Sequence, residues 1–171
     1  MNRLLLILPF LFLTACAPAQ YYNGQVRIDS PDGSFIFQVT DAAPRLHSSH
    51  FYTWFKSGHI YTTEGSYYGR LLHGYFKVVD HERRLVEEGW YKRGAKKGRW
   101  RTWHPNGMLQ SLTRKRFWDG ALYIKTYDAD GRLLKKGFEK NHLFSGQQLT
   151  MVNDSAVVIT YKKGVRQPSK K

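Results

Sequence analysis

Gly89-Trp90-Tyr91-Lys92-Arg93-Gly94-Ala95-Lys96-Lys97-Gly98-Arg99-Trp100-Arg101-Thr102-Trp103-His104-Pro105-Asn106-Gly107-Met108-Leu109 is the stretch on which the fold turns. Its pieces between glycines are strand-length and rich in aromatics, and they are too short and too broken for helices. Arg93-Gly94 and Asn106-Gly107 are turn dipeptides, because glycine accepts the positive φ that a tight hairpin needs. The stretch therefore reads as two hairpin turns separated by a strand. If Gly98 opens that strand, alternation puts Arg99, Arg101 and Trp103 on one face, with Trp100 and Thr102 on the other.

Outward from this stretch the pattern recurs every 24 residues. Gly65, Gly89 and Gly137 fall in register, with Thr113 in the gap. Gly74, Gly98 and Gly146 do the same, with Leu122 as the exception. Leu85, Leu109 and Leu133 align, as do Gly107 with Gly131 and Trp103 with Tyr127. Trp54-Phe55-Lys56-Ser57-Gly58-His59-Ile60 matches Trp103–Leu109 with a displacement of one residue. Asp119-Gly120 and Asp130-Gly131 add further turns. About four degenerate units thus lie between residues 51 and 150, and a period in this range marks a repeat architecture. A lone hairpin is marginal, so neighbouring hairpins must supply the buried face. The expected fold is all-β, an elongated antiparallel meander of repeated β-hairpins.

The unit Gly-x-aromatic, Gly-x-aromatic, aromatic-x-x-Asn-Gly-x-Leu resembles the bacterial variant of the MORN repeat. Its clearest copy is Gly89-Trp90-Tyr91, Gly98-Arg99-Trp100 and Trp103–Leu109. The next copy departs from it, with Thr113 and Leu122 in place of glycines. The resemblance covers about 100 residues. It implies a sheet of hairpins used for binding or scaffolding, in contact with membranes or proteins and without catalytic residues.

The ends of the chain carry different information. Met1-Asn2-Arg3 leads into an apolar run, Leu4 to Leu13, followed by small residues and Cys16, the single cysteine. This is the layout of a secretory signal peptide. Ten helical residues reach only about 15 Å against a bilayer core of about 30 Å, and Pro9 interrupts them. Leu13-Thr14-Ala15-Cys16 resembles the lipobox of bacterial lipoproteins, which implies cleavage before Cys16 and a lipid on its sulfur. Two or more acyl chains anchor stably where one does not. Ala17 after the cysteine resembles the outer-membrane default of enteric lipoproteins, so the expected location is the periplasmic leaflet of the outer membrane. Next, Gln25–Asp29 and Ser34–Thr40 flank a Ser30-Pro31-Asp32-Gly33 turn and predict a hairpin, with Asp41–His50 as a linker. Ser155–Tyr161 reads as a last strand. The organisation is a lipoprotein signal peptide over 1–15, a lipidated Cys and tether over 16–24, a hairpin and linker over 25–50, repeats over 51–164, and a basic tail over 165–171.

The net charge of +14 is unevenly placed. Residues 65–171 hold 23 Lys or Arg against 9 Asp or Glu, whereas residues 16–64 hold 3 against 4. Such an excess seeks an anionic partner. An export address separates it from nucleic acid, leaving acidic proteins, anionic lipid or acidic glycans. No nucleophile elbow or phosphate-binding loop is present, since Ala95-Lys96 follows Gly94 where Lys-Ser or Lys-Thr would be needed. Glu87 and Glu88 are adjacent and would face opposite sides of a strand. His47 and His50 have no acidic or Cys partner at ligand spacing. No enzyme, metal or cofactor is expected. The recognition surface predicted is Lys92, Arg93, Lys96, Lys97, Arg99, Arg101 and Trp103, because cations interleaved with aromatics suit protein hot spots and anionic head groups. The expectation is a lipid-anchored envelope protein that docks on an outer-membrane or periplasmic protein as an accessory subunit. The alternatives are direct contact with anionic glycolipid or peptidoglycan and, more remotely, a cell-wall-acting enzyme.

Overall fold

The computed structural model describes residues 20–22, 24–116, 119–152 and 155–168. Residues 1–19, which hold the expected signal peptide and Cys16, lie outside the described residues, as do the last three residues of the expected basic tail.

Among the described residues all regular structure is β. The strands are β1 (Gln20–Tyr22), β2 (Gln25–Ser30), β3 (Gly33–Thr40), β4 (Phe51–Lys56), β5 (His59–Glu64), β6 (Arg70–Val79) and β7 (Leu85–Lys92). They continue with β8 (Ala95–Trp103), β9 (Leu109–Lys115), β10 (Leu122–Tyr127), β11 (Leu133–Lys140), β12 (Leu143–Val152), β13 (Ser155–Lys162) and β14 (Val165–Arg166). All pair antiparallel in one open sheet, ordered β1-β2-β3-β6-β7-β8-β9-β10-β11-β12-β13-β14. The β4–β5 hairpin leaves this path, and its strand pairing with it is limited to Trp54↔Leu71 and Phe55↔Arg70. The meander of hairpins is as expected, and so is the hairpin before the linker. The branch differs from a simple stack, since β3 pairs with β6 and not with β4.

The 24-residue period is visible in the backbone. Asp80, His104 and Asp128 each donate an N–H to the carbonyl four residues on, at 2.9, 2.9 and 3.0 Å. Arg83, Gly107 and Gly131 each donate back to those same three residues and have φ of 64°, 84° and 81°. Each turn is followed by the same irregularity. Val79↔Leu85, Trp103↔Leu109 and Tyr127↔Leu133 close the pairings after a register shift that leaves Val86, Gln110 and Leu134 as the extra residues. An extra residue bends the strand and increases its twist. At the opposite margin three of the turns are two-residue, with Arg93-Gly94, Asn141-His142 and Lys163-Gly164 all at positive φ. Asn and Gly tolerate this conformation best, and it suits the strand twist.

The core is confined to the first half. Val26, Ile28, Phe37, Phe55, Leu72, Phe76, Tyr91 and Trp100 form one buried cluster, and Tyr52, Trp54 and Leu71 form a second. The β4–β5 hairpin supplies Phe55 to the first and Tyr52 and Trp54 to the second, so it acts as a partial second layer. The β7–β8 turn fixes it there. Gly94 donates to the Leu72 carbonyl and accepts from the Thr53 N–H, both at 2.8 Å, which bridges β6 to β4. Beyond Trp100, Ala121 is the one buried hydrophobic residue among the described residues. Strands β9 to β13 therefore form a single layer.

Candidate binding surface

The seven predicted residues divide between two faces and one tip. Where β7 pairs with β8, Gly89 alone faces Gly98, Arg99 and Trp100, because Glu88 pairs with Arg101 and Trp90 with Lys97. Gly98 absorbs this bulge at φ 72°. Two extra residues preserve the alternation, so Lys97, Arg99, Arg101 and Trp103 share one face, while Trp100 and Thr102 point to the core side, as the alternation predicts. Lys96 also lies on the core side. It bonds Glu87 at 3.0 Å and sits 3.8 Å over the Trp100 ring. Lys92 and Arg93 stand at the hairpin tip and line a shallow depression with Pro44, His50 and Tyr52.

Trp100 belongs to the core. Its ring covers Gly89 and approaches Tyr91 and Phe76 at 5.0 and 5.6 Å. The same device recurs two units later, where Phe144 lies against Gly137 and Lys135 caps its ring at 4.2 Å. These lysines are cation–π partners of repeat aromatics.

The outer face carries the free cations. Arg101 is committed to Glu88 at 2.7 Å, and the same carboxylate accepts a hydrogen bond from the Tyr75 hydroxyl. Burial, followed by this bond, pushes Tyr75 up to about 12. Arg99 faces Arg114 directly, and Lys125 faces Lys136. Among the described residues none of these four has an ion-pair partner. Arg114, Arg116, Tyr123 and Phe138 join Arg99 and Leu112 around a pocket of about 400 Å³. Only Arg99 of this group was legible in the sequence. Pairing across the Asn106-Gly107 turn would have found Arg114, whereas Tyr123 and Phe138 needed the register of β10 and β11.

A larger cleft of about 750 Å³ opens between the β4–β5 hairpin and the sheet. Ile28, Phe35, Ile60, Phe76 and Tyr91 give it an apolar wall, with Asp29 and His59 at its rim. The Ser34 hydroxyl and then Arg27 hold the Asp29 carboxyl below its ordinary range. The His47 and His50 rings meet edge to face at 4.8 Å. Among the described residues no group of three His, Cys, Asp or Glu is placed to hold a metal. No family model, curated protein or solved structure matches this chain.

Proposed function

We propose that this chain is a lipid-anchored envelope protein whose repeat sheet docks on another envelope protein, as an accessory subunit at the outer membrane. The observation that carries the reading is the change from two layers to one along a continuous sheet. In the first half the core side is covered by the β4–β5 hairpin. In the second half the same side presents Leu122, Ile124, Phe144, Ile159 and Tyr161, none of them buried. Covering this face would repeat what the hairpin does for the first half, with the partner supplying the second layer. Repeat sheets offer extended surfaces of this kind. The lipobox at Cys16 supplies the anchor, and the Ala17 position supports the outer membrane over the inner.

A photoactivatable side chain at Ile124 or Ile159 should cross-link in intact cells to one stoichiometric protein. The same probe at Tyr61, on the far hairpin, should not. Equal capture from all three positions, or none, would overturn the docking face. Mass spectrometry of the mature N-terminus should find a lipidated Cys16, and a chain still starting at Met1 in membranes would remove the anchor.

A further inference from the structure

The outer-face pocket has a charge arrangement that the sheet itself does not explain. Like charges set directly opposite one another destabilise a strand pair. Arg99 and Arg114 are so placed, and no carboxylate among the described residues answers either. Glu88, on that face, is already taken by Arg101 and Tyr75. Arg116 is also committed, since it pairs with Asp119 and lies 4.3 Å over the Phe138 ring. Tyr123 follows Arg114 in the next strand, and Phe138 follows Tyr123. Two arginines without an ion-pair partner and one tyrosine thus line the same pocket as the apolar Leu112 and Phe138.

We propose that this pocket binds a phosphomonoester group, with Arg99 and Arg114 as its forks and the Tyr123 hydroxyl as a further donor. Guanidinium groups match phosphate oxygens in a bidentate manner and are more weakly hydrated than ammonium groups. A phosphomonoester carries about −1.5 to −2 at neutral pH, which balances two arginines, whereas a carboxylate balances one. The apolar floor lowers the local dielectric and strengthens the contact. Lys125 and Lys136, one pleat along the same face, add attraction at longer range. This site lies on the face opposite the proposed docking face and does not rest on that reading.

The test is an NMR titration of the full chain, following the arginine side-chain N–H signals against inorganic phosphate and against acetate at constant ionic strength. Saturable shifts at Arg99 and Arg114 are expected, with phosphate bound about tenfold tighter than acetate. R99Q and R114Q should each weaken phosphate about tenfold, while K125Q/K136Q, which removes as much charge or more, should weaken it far less. R99K keeps the charge without the fork and should fall between, with thermal melts confirming that each variant folds. Shifts that never saturate, equal response to acetate, or equal loss in the lysine variant would overturn the site. The source is then separated by probe. Glucose 1-phosphate binding in solution indicates a sugar-borne group. Sedimentation with phosphatidic acid vesicles, but not with phosphatidylglycerol vesicles, indicates a membrane-borne one. Equal sedimentation with both lipids, unaffected by R99Q, would overturn the proposal.

Discussion

Gly89 shows how one residue admits a whole side chain. A Cβ there would collide with the Trp100 indole, which lies flat against the glycine. G89V should therefore displace Trp100 from Tyr91 and Phe76 and cost about 1–3 kcal/mol, read as a fall in melting temperature and lost aromatic circular dichroism. Tyrosines give the second prediction at this scale. Burial raises Tyr91 to about 12, and burial together with Glu88 does the same for Tyr75. The ordinary value is about 10, so the unfolded chain loses these protons first. Stability from the two groups is intact below about pH 10 and is lost as pH rises through about 12. Y91F should flatten the alkaline decline in melting temperature, and E88Q should bring one phenolate transition to lower pH in an absorbance titration. The glycine spacing was legible in the sequence, but the aromatic it serves was not. Alternation puts Trp100 on the face opposite Arg99 and Arg101, but only the register sets its ring against Gly89.

At the scale of elements, the β4–β5 hairpin depends on a turn from elsewhere in the chain. Gly94 sits at φ 79°, and a Cβ there would come within 2.7 Å of Leu71 Cδ2 and 3.1 Å of the Thr53 carbonyl. G94V should loosen the bridge between β4 and β6 at a cost of about 1–3 kcal/mol. Hydrogen exchange should show lost protection at the Thr53 and Gly94 amides, with β11 to β13 unchanged. Hairpin identity was readable from Arg93-Gly94, Asn106-Gly107 and Asp130-Gly131, because turn chemistry is local. The branch was not readable, since it depends on β3 reaching β6 across the linker and the intervening hairpin. No periodicity encodes that choice. It follows from Phe37 meeting Phe55 and Phe76, at 5.5 and 6.4 Å, in a core that forms only once all three strands are together.

For the molecule as a whole, burial predicts uneven stability. Nearly all the buried apolar side chains lie between Val26 and Trp100. Strands β2, β3, β6 and β7 should exchange their amides slowest, and β10 to β13 should open at lower free energy, as one-dimensional arrays allow. Uniform protection from β2 to β13 would contradict this. The charge asymmetry was legible from where the charged residues fall along the chain, but the separation of Lys96 and Lys135, which cap rings on the core side, from Arg99 and Arg114 on the outer face required the register.

The identical turns at Asp80, His104 and Asp128 also bear on inheritance. Each begins the same hydrogen-bond pattern, the same bulge and the same leucine, so the chain leaves all three turns in the same register. Duplication or loss of 24 residues keeps the alternation of faces, whereas an odd increment inverts the faces downstream. Length in such a chain is quantised, and a lineage can lengthen or shorten the uncovered half in whole steps while leaving the covered half intact.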